Sequence, residues 1–91
     1  RIMLPTIKGL IKEEAPFKGC IYFGLMLTKQ GVKVIEYNCR FGDPEAQTVL
    51  PMLRSDLLDI MIATEEGRID EMPVEFKDGV SCCVVIASGI Y

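Results

Sequence analysis

Apolar residues along this chain change their spacing several times, and each change marks an element. Ile7, Leu10 and Ile11 recur at helical intervals, Pro5 is acceptable in a first turn, and Pro16 with Gly19 closes the segment. The spacing predicts a helix ending near Glu14. From Cys20 to Leu27 the run is unbroken and apolar, Lys29-Gln30-Gly31 offers turn chemistry with a glycine for positive φ, and Val32 to Cys39 resumes as a strand. These two strands read as a hairpin. The first lacks alternation and reads as buried on both faces, which places the hairpin inside a larger sheet.

In the second half, Asp43 stands where it would cap a short helix starting at Pro44, with Ala46, Val49, Leu50 and Leu53 on its apolar side and Pro51 ending or kinking it. Ser55 is predicted to cap another helix carrying Leu57, Leu58, Met61 and Ile62, and Gly67 to close it in the left-handed conformation. Val74 to Phe76 reads as a short strand, Lys77-Asp78-Gly79 as a turn, and Val80 to Ala87 as a buried strand. The pattern therefore predicts an α/β fold of the α+β type, an antiparallel hairpin with flanking helices. No repeat interrupts it.

Ninety-one residues allow one small core. The net charge of -3 and the scattering of ten Lys and Arg residues leave no basic footprint for nucleic acid. No apolar run approaches the roughly 20 residues that cross a bilayer. Arg1 begins the chain without an initiator Met or a signal-peptide pattern, so a cytoplasmic location and no membrane partner are expected. The absence of His removes Ser-His triads, Cys-His nucleophiles and His-bound zinc. Cys20, Cys39, Cys82 and Cys83 contain no Cys-x-x-Cys pair and are expected to be reduced, mostly buried thiols. Any catalysis must rest on carboxylates, Arg, Lys and metal.

That chemistry concentrates in Glu36-Tyr37-Asn38-Cys39-Arg40-Phe41-Gly42-Asp43-Pro44-Glu45. Strand side chains alternate faces, so Val32, Val34, Glu36, Asn38 and, if the strand continues, Arg40 are expected on one face, about 7 Å apart. Glu36 and Asn38 offer hard oxygen ligands of the kind Mg²⁺ accepts, and Arg40 a planar donor fork suited to phosphate or carboxylate. Exposed polar positions on an edge strand are the simpler reading of a Glu-x-Asn pair. Sharing a face with two valines argues against it. Asp43 reads both as a helix cap and as a substrate contact, Glu45 as a charge favourable in a first helical turn, and Gly42 as a position of special backbone geometry or close approach.

The same residues carry a family resemblance. Glu-x-Asn-x-Arg at residues 36 to 40 resembles the metal-binding end of ATP-grasp ligases, and Phe41-Gly42-Asp43-Pro44-Glu45 resembles the phosphoribosylamine-glycine ligase family among them. Further similarity lies in Pro5-Thr6-Ile7-Lys8-Gly9, Gly19 to Met26, Arg54 to Leu58, and Ala87-Ser88-Gly89-Ile90-Tyr91. The resemblance implies the carboxy-terminal part of an ATP-grasp domain over residues 1–70 and the start of the following domain over 71–91. It implies a ligase that uses ATP and Mg²⁺ (or Mn²⁺) to join glycine to 5-phosphoribosylamine through a glycyl phosphate, yielding glycinamide ribonucleotide, ADP and phosphate. On it, Glu36 and Asn38 are metal ligands, Arg40 holds the transferred phosphate or acyl phosphate, and Asp43 orients glycine.

Many ATP-grasp enzymes place a further acidic ligand twelve positions before the second-strand Glu, and here that position is Gly24. The alternatives are an ATP-grasp carboxylate-amine ligase with a different acyl donor and a non-catalytic binding or assembly module. The chain alone is expected to be inactive and to self-associate through unpaired apolar strands.

Overall fold

A computed structural model describes residues 1–90 of the chain. Its elements run α1 (Met3–Lys12), β1 (Tyr22–Thr28), β2 (Gly31–Asn38), α2 (Ala46–Val49) and α3 (Leu57–Glu66), with 3₁₀ turns at Leu50–Met52 and Ile69–Glu71. They fall into two compact units, Arg1–Arg40 and a second beginning at Phe41. Among the described residues, no helix is long and apolar enough to cross a membrane.

In the first unit, α1 begins two residues before Pro5, where a missing N–H costs nothing because the opening amides of a helix have no partner within it. The Ile2 carbonyl accepts from both the amide and the hydroxyl of Thr6, each at 3.0 Å. After Lys12 the chain reverses through Glu14 at φ 58°, and the Ala15 amide returns to the Leu10 carbonyl at 2.9 Å. The turn between β1 and β2 uses Gly31 at φ 103°, as its sequence predicts, with the Thr28 hydroxyl donating to the Gly31 carbonyl at 2.7 Å.

The hairpin is antiparallel, but its register slips once. Gly24 lies opposite Glu36 while its neighbour Leu25 lies opposite Val34, so Ile35 has no partner across the strands. Such a bulge restarts the alternation of faces. Val32, Val34 and Tyr37 consequently share a face with Leu27, Leu25 and Phe23, whereas Lys33, Glu36 and Asn38 share the other with Met26, Gly24 and Tyr22. The expectation that Glu36 and Asn38 share a face with Val32 and Val34 is thus wrong, because counting by twos fails once a residue is left out of the pairing. On the apolar face the Phe23 and Tyr37 rings meet edge to face at 5.4 Å, and the Tyr37 hydroxyl lies 3.4 Å from Thr6 Oγ1 of α1.

β1 is half-buried or exposed rather than buried on both faces, and Leu27 is 82% exposed. Among the described residues the sheet has two strands, so nothing here supplies the third strand or cover that the apolar run is built to meet. Cys39 and Cys82 are exposed and Cys20 and Cys83 half-buried, all as free thiols, which corrects the expectation of mostly buried cysteines.

In the second unit, α2 starts at Ala46, two residues later than predicted, and no side chain caps it. Pro51 occupies the following 3₁₀ turn, where the chain leaves helical geometry. α3 is capped by Asp56, not Ser55: Asp56 Oδ1 accepts from the Leu58 amide at 2.8 Å and the Asp59 amide at 3.3 Å. The Ser55 hydroxyl sits one residue too early and instead donates to the Pro73 carbonyl at 3.1 Å and accepts from the Glu75 amide at 2.8 Å. Gly67 closes α3 at φ 72°, as predicted. The expected strand at Val74 to Phe76 reduces to one bridge, Leu53 to Phe76, flanked by Arg54 N–H to Glu75 at 2.9 Å and Lys77 N–H to Met52 at 2.7 Å.

Val80 to Ala87 forms no strand, and Val80 and Ile86 are 96% and 92% exposed. A strand exists only where a neighbour completes its hydrogen bonds. Ala63 is the one apolar residue fully buried among those described, although 49% of the chain is hydrophobic.

Two outcomes follow from this packing. Purified alone, the chain should elute and scatter light as an oligomer, because Leu27, Val80 and Ile86 are largely exposed and the segment of Val80 and Ile86 pairs with no strand among the described residues; a monodisperse monomer at micromolar concentration would contradict this. Asp56→Ala should cost about 1 kcal/mol and speed amide exchange at Leu58 and Asp59, whereas Ser55→Ala should leave those two amides protected.

Candidate metal and anion site

Glu36 and Asn38 are two residues apart on β2 beyond the bulge, which puts both side chains on the polar face of the hairpin. Asn38 Nδ2 donates to Glu36 Oε1 at 2.9 Å. The carboxylate is exposed, so this bond orders the pair without sealing it from solvent. Opposite Glu36, Gly24 supplies the room: a Cβ built there would stand 2.9 Å from Glu36 Cγ, closer than such atoms approach. A glycine inside an otherwise apolar strand signals close approach or a bulge, and here it marks both. Gly24 was legible from sequence only as a ligand position without a ligand. Its place directly across from Glu36 needed the register.

A cation fits this donor set. Mg²⁺ is commonly held by one or two protein oxygens with the remainder from water and substrate phosphates. Glu36 already presents a carboxylate, and rotation of the Asn38 amide would bring Oδ1 to the place Nδ2 now occupies. Among the described residues no three His, Cys, Asp or Glu side chains gather as a metal cluster. Further ligands to a cation here would come from outside such a cluster, phosphate and water among them.

Arg40 lies two residues beyond the end of β2, in a bend, with its side chain exposed. It is thus not a strand-face residue, contrary to the extrapolated alternation. The ladder ends at the Tyr22 to Asn38 pair, where β1 has run out.

Asp43 belongs to the second unit. It is not the N-cap residue of α2; its Oδ1 accepts from Gln47 Nε2 at 3.0 Å. Glu45 takes the cap position instead, with its carboxylate folded over Gly42. Gly42 is buried, and a Cβ there would meet that carboxylate and require Glu45 to move. Close approach at Gly42 is made by the chain itself. In the same unit Phe41, Val49, Leu53, Leu57, Ile60 and Phe76 line an apolar cavity of about 120 Å³.

No thiol chemistry competes with these groups at Cys20, since burial pushes its thiol up and holds it protonated at neutral pH.

Comparison with known proteins places this geometry in context. The family of the phosphoribosylglycinamide synthetase ATP-grasp (A) domain matches residues 1–46, the segment that carries α1, the hairpin, Glu36, Asn38, Arg40 and Asp43. The chain is 47% identical over 91 residues to a phosphoribosylamine–glycine ligase of Caldanaerobacter subterraneus subsp. tengcongensis, covering 100% of this chain and 22% of that protein. It is 48% identical over 92 residues to a phosphoribosylamine–glycine ligase of Salmonella typhimurium, covering 100% of this chain and 21% of that protein. It is also 50% identical over 87 residues to the trifunctional purine biosynthetic protein adenosine-3 of Drosophila melanogaster, covering 94% of this chain and 6% of that protein. The chain thus spans about a fifth of the length of the two ligases and a smaller share of the trifunctional protein.

Proposed function

The chain belongs to the phosphoribosylglycinamide synthetase ATP-grasp family, and from that premise we propose that the full-length protein joins glycine to 5-phosphoribosylamine with ATP, giving glycinamide ribonucleotide, ADP and phosphate. The observation that carries the reading is the ordered Glu36–Asn38 pair, a carboxylate and an amide set side by side on one hairpin face with glycine directly opposite the carboxylate. Identity along the whole chain to proteins named for this ligation supports the substrate assignment.

In this proposal Glu36 and Asn38 hold Mg²⁺, or Mn²⁺ in its place, together with ATP phosphates. Such a cation would offset phosphate charge as the γ-phosphoryl passes to the carboxylate of glycine. Asn38 contributes by turning its amide, releasing Nδ2 from Glu36 and presenting Oδ1. Arg40 holds the transferred phosphate or the glycyl phosphate through its planar fork, a permanently charged donor that needs no proton adjustment. Asp43 orients glycine by accepting from its ammonium group, in place of or alongside Gln47 Nε2.

The proposal also assigns residues 1–70 to the carboxy-terminal part of the ATP-grasp domain and 71–91 to the opening of the next one, with Tyr91 outside the described residues. Four unpaired thiols suit a reducing compartment, and the cytoplasm is the location proposed.

The deciding experiment is ADP release by the full-length protein with 5-phosphoribosylamine, offered glycine and then other small carboxylates. Glycine-dependent release is expected; release with another carboxylate and none with glycine would assign a different acyl donor. In the same protein, Glu36→Gln and Asn38→Ala should raise the Mg²⁺ concentration needed for half-maximal rate and lower turnover while the melting temperature stays put. Unchanged metal dependence in both would remove them from the metal site. Arg40→Lys keeps charge and loses the fork, so a loss of roughly tenfold in kcat/KM is expected, equivalent to about 1.4 kcal/mol. Wild-type kinetics in that variant would reduce Arg40 to a generic positive charge.

A further inference from the structure

We propose that Gly24 is a positioning residue for the Glu36 carboxylate, and that with the bulge at Ile35 it fixes which way the cation-binding pair faces. The inference rests on the metal reading of Glu36 and Asn38 above and adds a residue to it that binds nothing itself. Three observations carry it. The register slip opposes Gly24 to Glu36 and leaves Ile35 unpaired, which turns Glu36 and Asn38 away from the face of Val34 and Tyr37. A Cβ at residue 24 would meet Glu36 Cγ at 2.9 Å, with the Glu36 carbonyl and amide at 3.5 and 3.6 Å, so the side chain rather than the backbone needs the space. Gly24 also lacks the positive φ that requires glycine at Gly31, so its conformation alone does not call for glycine.

Glycine inside a strand carries an entropic cost and forgoes a side chain that could pack. At residue 24 what it provides is the rotamer of Glu36. With that side chain lying over Gly24, Oε1 sits 2.9 Å from Asn38 Nδ2, the spacing from which both groups reach one ion. An alanine would push Cγ outward and part the carboxylate from the amide. Residues that orient ligands without touching the metal typically change metal affinity by roughly 10–100-fold when altered.

The test is a double-mutant cycle in the full-length protein, reading Mn²⁺ affinity by paramagnetic relaxation of water protons in the presence of ATP, with thermal unfolding alongside. Gly24→Ala should weaken Mn²⁺ binding roughly tenfold or more. On a Glu36→Ala background, where Cγ is gone, the same change should have no further effect on either affinity or melting temperature. Gly31→Ala is the structural control: it strains a φ of 103° with nothing within 4 Å of the new Cβ, so it should lower stability and leave Mn²⁺ affinity alone.

Wild-type affinity in Gly24→Ala, or an equal loss on the Glu36→Ala background, would overturn the proposal. If Gly24→Ala unfolds the protein, recovery of the fold in Gly24→Ala/Glu36→Ala supports the contact and persistent unfolding overturns it. Should Glu36→Ala itself leave Mn²⁺ affinity unchanged, the metal reading fails. A loss with Glu36→Ala but none with Gly24→Ala removes only the positioning role.

Discussion

The pairing of Gly24 with Glu36 sets the character of the first unit, because the residue left out beside it, Ile35, divides β2 into two registers. Before the slip, odd and even positions serve one assignment of faces; after it they exchange. An apolar face results that carries Phe23, Leu25, Val34 and Tyr37 and reaches α1 through Tyr37 and Thr6. The polar groups collect on the reverse. Without the slip, Glu36 and Asn38 would fall on the face of Val34 and Leu25 rather than on its reverse. One unpaired residue thus separates packing from chemistry on a strand of eight.

The apolar inventory tells of surfaces made for other contacts. Fully burying a leucine, valine or isoleucine is worth about 1.5–3 kcal/mol relative to leaving it in water. Leu27, Val80 and Ile86 gain almost none of this here. Among the described residues, Ala63 is the one apolar side chain that reaches full burial. The chain spans about a fifth of the length of the ligases it matches. The first unit keeps its hairpin through backbone ladders and one aromatic contact, and the second keeps α3 through Asp56 and Gly67, caps that need no large core.

What the sequence made legible divides along the same line. Features set by local backbone chemistry are readable: Gly31 at the hairpin turn, Gly67 closing α3, Pro51 ending α2, and the helix from Met3. Features set by a partner elsewhere in the chain were not. The bulge depends on which residue β1 brings opposite Glu36, although a glycine in mid-strand was its visible sign. Ser55 and Asp56 are both good caps, and the choice fell to Asp56 because Pro73 and Glu75 engage the serine hydroxyl. Asp43 is likewise displaced from the cap position, since the turn at Asp43 to Glu45 delays the start of α2 to Ala46. Val80 to Ala87 has the composition of a strand and no neighbour to make it one.

The resting bond between Asn38 and Glu36 bears on how easily the site can change state. A hydrogen bond to a charged group contributes about 1.5–3 kcal/mol when solvent is excluded, and less where, as here, the carboxylate is exposed and water can replace the donor. Opening it is therefore inexpensive compared with what an oxygen-bound divalent cation returns. Holding it closed still matters, because it confines two flexible side chains to adjacent positions before any ligand arrives, and side-chain ordering is among the costs that binding must otherwise meet. The amide needs one rotation to exchange donor for acceptor, with no movement of the strand. A site of this kind is pre-ordered yet easily opened, and it holds that balance because glycine, rather than a side chain that would crowd Glu36, stands across the hairpin.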